Sequence, residues 1–267
     1  MKGYLSVFRL RLANGLQYRS AALAGIATQF FWGFIIIMVF EAFYSQTVVT
    51  PPLSLSQVVT YVWLQQAFLA FIMLWFRDNE LFQLITSGNI AYELCRPTGI
   101  YGFWYAKLLA QRLSSAVLRC SPILIVAVFL PRPYRLEWPA DLTAAALFIL
   151  TLLLGLFIVV AISMLIYIST FITMSSAGSL LMFGVIGEFL AGMIIPIPLM
   201  PDWLQAIVNY LPFRFTADFP FRVYSGHIPV SEALELLPLQ LAWLAALVAV
   251  GKFTMGKALR RVVVQGG

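Results

Sequence analysis

The sequence predicts an all-α polytopic membrane protein with six transmembrane helices, and three observations carry that expectation. Of 267 residues, 61% are hydrophobic and only 10% are charged. Soluble domains carry about 45–50% and about 25% respectively, so this chain has too little charge to coat a water-facing surface. Its apolar residues also fall into runs near the length of about 20 that one bilayer crossing needs, and its Lys and Arg residues cluster at alternate ends of those runs. An ordinary soluble enzyme, a disordered chain and a disulfide-stapled secreted domain are all excluded.

Taken in order, the elements make one membrane domain over 1–267. The basic start lacks the short apolar core and small-residue cleavage site of a signal peptide. Instead, Leu5, Phe8, Leu12 and Leu16 recur at helical spacing among Arg9, Arg11 and Arg19, which predicts an N-terminal amphipathic helix lying in the interface. Spans follow at about 21–44 and 57–76, separated by the Thr50–Pro52 turn. The third span is about 113–130, closed by the prolines at 131 and 133, and the fourth about 142–168. The fifth covers about 179–199 and the sixth about 233–250.

Short-loop Lys and Arg residues set orientation. With both termini cytoplasmic, that side receives thirteen of the 17 basic residues. They are Lys2, Arg9, Arg11 and Arg19, then Arg77, Arg96, Lys107, Arg112 and Arg119, and finally Lys252, Lys257, Arg260 and Arg261. Only Arg132, Arg135, Arg214 and Arg222 fall outside.

Two polar stretches are informative. In the connection from Arg77 to about Lys107, Asp78 or Asn79 is placed to cap a short helix bearing Leu81, Phe82, Leu84 and Ile85, stopped at Ser87-Gly88. Such a helix suits a docking knob for a soluble partner, or else is a solvated linker with incidental periodicity. Between the fifth and sixth spans, the segment from Ile194 onward is too apolar for a loose loop and too proline-broken for a span. It predicts a short helix at about Trp203–Tyr210, with Trp203, Tyr210, Phe213 and Tyr224 in an aromatic belt and Arg214 beside them.

The intraspan polar residues are few. Glu188 is the one acid deep in a span, which is costly and usually means a bundle interior or cavity; a cargo-path or gating role and a packing role both stand. Gln29, Gln65 and Gln66 have the same two readings, lining a path or bonding between helices. Gly184, Gly187, Ala191 and Gly192 make a small-residue face for close helix approach, within the chain or at a subunit interface.

The chain resembles the permease subunits of the ATP-binding-cassette exporter type-2 family. More narrowly it is similar to a prokaryotic branch whose permeases are often encoded as two related proteins beside one ATPase. The resemblance covers essentially the whole chain and rests on Asn14–Gly33, ELCRPTG at Glu93–Gly99, IIPIPLMPDWLQ at Ile194–Gln205 and LPFRFTADFPFRVYSG at Leu211–Gly226. It implies an interfacial helix at about Tyr4–Tyr18, a cytoplasmic coupling helix at about Asn79–Ser87 where the ATPase docks, and outer re-entrant helices within Pro201–Tyr224. The connection Ser169–Gly178 becomes a second cytoplasmic contact. The implied partners are two cytoplasmic ATPase subunits, a second permease and membrane lipid, in the inner membrane.

No G-x-x-x-x-G-K-[ST] phosphate loop occurs. ATP and magnesium are therefore expected in the partner, with no cofactor, metal or nucleic acid bound by this chain and no catalytic array. Cys95 and Cys120 show no ligand spacing, and one His cannot complete a zinc site. Two competing readings are a lipid-modifying enzyme built on Asp202, Arg214, Asp218, Arg222 and His227, and an ion-coupled carrier. The first lacks catalytic spacing. The second wants more buried ionisable groups and an internal repeat, and residues 1–130 and 131–267 show none.

Overall fold

The structure is a computed structural model that describes residues 2–17, 19–46, 50–76, 78–173 and 175–260. Arg77, Met174 of the fourth-to-fifth connection and Arg261 lie outside the described residues. Every regular element among the described residues is a helix. In chain order these are α1 (Lys2–Gly15), α2 (Arg19–Gln46), α3 (Leu55–Ala67), α4 (Leu69–Ile72), α5 (Asn79–Thr86) and α6 (Ile90–Leu94). They continue as α7 (Ile100–Phe129), α8 (Leu142–Thr173), α9 (Ser176–Leu190), α10 (Asp202–Val208), α11 (Asp218–Tyr224) and α12 (Val230–Leu259). Short 3-10 turns occupy Ile197–Leu199 and Pro212–Thr216.

Four helices, α2, α7, α8 and α12, are long and apolar enough to cross a membrane. The stretches read as the second and fifth spans are shorter. The α3 helix starts on a capping box, where Ser54 and Gln57 each satisfy the other's backbone N–H, and it breaks at Phe68 before the single turn of α4. The α9 helix ends at Leu190, not at 199: Gly192 takes φ +77°, and prolines at 196 and 198 forbid further helical turns. Boundaries shift elsewhere too. The α7 helix begins at Ile100, thirteen residues before the expected start of the third span, and α12 extends to Leu259.

The most apolar element, α8, is the centre of the bundle. It is buried for most of its length and packs on α4, α5, α7, α9, α11 and α12. At one end Phe148 meets Phe221 and Tyr224 of α11; at the other Tyr167 packs on Phe82 of α5, the rings tilted and their centroids 4.4 Å apart. Gly155 is required midway, because a Cβ there would lie 2.7 Å from the carbonyl oxygen of Phe215. The α1 helix exists as expected, but its inner face is packed rather than free on headgroups. Gly3 lies against Thr98 and Gly15 against Ser114, so α1 runs alongside the first half of α7 in the same direction.

Candidate functional site

Two polar assemblies stand at opposite ends of the bundle. The first is built around α5. Asp78 is its N-cap, its Oδ1 accepting from the backbone N–H groups of Glu80 at 2.9 Å and Leu81 at 3.2 Å. The N–H of Asp78 donates to the Tyr167 hydroxyl on α8 at 2.8 Å. Glu80 then straps the helix sideways, taking Arg11 of α1 on one carboxylate oxygen and Lys107 of α7 on the other at 2.8 Å. Burial alone raises the Glu80 pKa, but the hydrogen bonds from Arg11 and Lys107 outweigh it and hold the carboxyl below its ordinary range.

This construction corrects the expected docking face. Leu81, Phe82 and Ile85 are buried under α5 against the chain's own core, where a partner cannot meet them. Of the five residues singled out there, Asn79 is exposed and Leu84 half-buried, and Gln83 joins them on the outward side. The amphipathic pattern identified the face correctly and assigned it to the wrong neighbour.

Arg112 was read as one more basic flank, yet it is fully buried on α7. Its Nη1 donates to the carbonyls of Ala70 at 3.2 Å and Met73 at 2.8 Å, and its Nη2 to Ser163 Oγ at 3.0 Å. The guanidinium also lies over the Phe76 ring, 5.2 Å from its centroid. It thus caps the broken end of α4, supplying donors to carbonyls that no following turn satisfies. In the sequence Arg112 stands just before the third apolar run, and the three acceptors that explain it are far away in the chain.

The second assembly holds the irregular segment 191–229 among α3, α8 and α12. Tyr61 donates to the Gly192 carbonyl at 2.9 Å, and Gln65 Nε2 to the Met193 carbonyl at 2.8 Å. Gln240 Nε2, on α12, donates to the Thr151 carbonyl at 2.8 Å and the Phe215 carbonyl at 3.2 Å. A side chain at position 192 would reach within 2.8 Å of the Tyr61 hydroxyl, so both its φ and its space demand Gly. Gln65 is therefore occupied in holding backbone, the interhelical alternative to lining a path. Gln66 is buried where α3 meets Gly33 of α2. Gln29 is buried on α2, its Oε1 without a partner among the described residues.

Asp218 anchors this assembly. It is wholly inaccessible, with Oδ1 accepting from the Ile197 N–H at 3.2 Å and Oδ2 from Arg222 Nη1 at 3.1 Å. Arg222 Nε donates to His227 Nδ1 at 3.1 Å, which leaves His227 Nε2 to donate to the Pro52 carbonyl at 3.2 Å. Burial first, and Arg222 second, hold the His227 pKa below its ordinary value, in keeping with an imidazole used as an acceptor. The five residues of the enzyme reading are thus divided. Asp218, Arg222 and His227 form one structural tie, Arg214 is buried and donates to the Asn209 carbonyl at 3.0 Å, and Asp202 is exposed at the start of α10. Trp203 and Tyr210 are exposed, whereas Phe213 packs inward and Arg214 with it.

Glu188 is half-buried on α9, with Trp75 as a hydrogen-bonding neighbour and its Oε1 unpaired among the described residues. The small face of α9 serves packing within the chain: Gly187 and Gly184 lie against Leu74 and Trp75, just beyond α4.

A family model described as ABC-2 family transporter protein matches residues 30–266. Neither the curated proteins nor the solved structures include a significant match to the chain. The family match takes in α7, α8, α12 and the larger part of α2, and both polar assemblies apart from Arg11. Its transport role agrees with side chains committed to holding helices and turns. The chain belongs to the ABC-2 family of transporter proteins, as a multi-pass membrane transport subunit.

Proposed function

We propose that the chain is the permease of an ATP-driven exporter in the inner membrane, paired with a second permease, a related paralogue or a second copy, and with two cytoplasmic ATPase subunits that bind ATP and magnesium. The translocation path lies at the permease–permease interface. The chain crosses six times, on α2, α3–α4, α7, α8, α9 and α12, with both termini inside. The segment 191–229 enters and leaves on the outer side. Thr151 and Gln240, which meet that segment, lie about 14 and 15 Å along α8 and α12 from their starts, which supports a re-entrant path. Irregular backbone at that depth needs internal hydrogen-bond partners, and Tyr61, Gln65 and Gln240 supply them.

The observation that carries the reading is the mounting of α5. A short helix capped by Asp78, strapped to α1 and α7 through Glu80 and seated on α8 through Phe82 passes an applied force into the bundle rather than absorbing it. Its outward residues Asn79, Gln83 and Leu84 meet the ATPase. The double variant Asn79→Lys/Gln83→Lys, at two exposed positions, is expected to keep the melting temperature of the parent and to lose most co-purifying ATPase. Full co-purification by that variant, or no ATPase with the parent complex, would sink the proposal.

Glu188 is our candidate for the path or gate, since its neighbours Val185 and Ile186 are exposed on α9, where a second permease has apolar surface to cover. Glu188→Gln is expected to slow transport with the complex intact. Unchanged transport by Glu188→Gln removes the residue from the path.

A further inference from the structure

Two adjoining cavities lie where the start of α7 faces the end of α12. One, of about 510 Å³, lies between Tyr4 of α1, the start of α7 and the last two turns of α12. The other, of about 350 Å³, is walled by Tyr105, Leu109, Phe157, Leu244 and Val248. Tyr101, Gly102 and Lys252 border both, which makes them one continuous trough.

Its chemistry changes along its length. The half toward Leu244 is aliphatic and aromatic. At the junction stands Lys252, exposed and in no ion pair with another described residue. Among the described residues no acidic side chain lines either cavity, and Lys257 and Arg260 follow on the exposed end of α12. Lys252 stands two residues beyond the inner end of the sixth span at about 233–250, which puts it at the edge of the hydrocarbon. Leu244 and Val248 fall within it. The trough therefore presents an unpaired cation at phosphate depth and an apolar slot at acyl depth.

We propose that this trough binds an anionic phospholipid of the inner leaflet, its phosphate on Lys252 and one acyl chain against Leu109, Phe157, Leu244 and Val248. The inference rests on the topology given under the proposed function, which places this end of α7 and α12 inside. A basic residue at the surface of an anionic leaflet gains most from a ligand of this charge, and the walls exclude a hydrated ion as the occupant of the apolar half.

Native mass spectrometry of the delipidated full complex, titrated with phosphatidylglycerol or phosphatidylcholine, tests it. The parent is expected to retain phosphatidylglycerol more tightly. Lys252→Gln is expected to weaken phosphatidylglycerol by about fivefold, the worth of one basic contact, and to leave phosphatidylcholine unchanged. Val248→Trp, which fills the slot, is expected to weaken both lipids, and the melting temperature of each variant reports its fold. Equal phosphatidylglycerol retention by the parent and Lys252→Gln overturns the headgroup assignment. Equal retention by Val248→Trp overturns the trough. ATPase co-purification in the same samples reports the permease reading separately, so lost lipid specificity with the partner retained counts against this site alone.

Discussion

Arg112→Met is expected to destabilise the chain by about 2–4 kcal/mol, read as a lowered melting temperature in detergent. Methionine fills most of the volume of the arginine stem, so the loss reports hydrogen bonds more than a cavity. Two opposing effects set its size. Burying a guanidinium with no carboxylate partner is costly, and the variant recovers that cost. Against this, the carbonyls of Ala70 and Met73 and the hydroxyl of Ser163 lose charge-assisted donors at 3.2, 2.8 and 3.0 Å. Such bonds contribute about 1.5–3 kcal/mol each, and together they exceed the relief. Arg112→Lys is expected to fall between, since one ammonium has no fork to span both α4 and α8. A melting temperature unchanged in Arg112→Met would contradict the capping role.

Asp218→Ala is the second large effect, about 3–5 kcal/mol of lost stability. It strands the Ile197 N–H and, among the described residues, leaves the Arg222 guanidinium only His227 as a polar partner. The side chain of Arg222 is 13% exposed whereas Asp218 is 0% exposed, so water relieves part of the stranded charge and favours the lower end of the range. Asp218→Asn keeps an acceptor for one of the two donors and is expected to cost less. In a double-mutant cycle, Asp218→Ala with Arg222→Ala is expected to destabilise less than the two single changes added together. Strict additivity would mean that the pair is not coupled.

Much of this architecture was readable from residue order. The apolar runs of α2, α8 and α12 stand out because hydrophobicity is a local property, and the family resemblance rests on four contiguous stretches. What was hidden depends on distant partners. An amphipathic helix declares that Leu81, Phe82 and Ile85 share a face, but only Tyr167, some 85 residues further on, decides that the face is already covered. Arg112 sits at the edge of an apolar run, where a headgroup cation and a buried cap look alike. Gln65 keeps both its readings, path lining and interhelical bonding, until the turn at Gly192–Met193 is brought against it. Some signals were local and went unread: the Ser54–Gln57 capping box and the i,i+4 spacing of Asp218 and Arg222.

The reach of α8 gives the molecule a mechanical property. A straight helix of 32 residues is about 48 Å long, and here its two ends touch different machinery, Phe82 at one and the α11 turn at the other. Treated as a lever pivoted near either end, it magnifies small angles: a tilt of about 5° displaces the far end by about 4 Å over that length. That is the scale of a helix side chain moving past its neighbour. A tilt of that size at the α5 end would thus be read at the α11 end as a shift comparable to a side-chain contact distance.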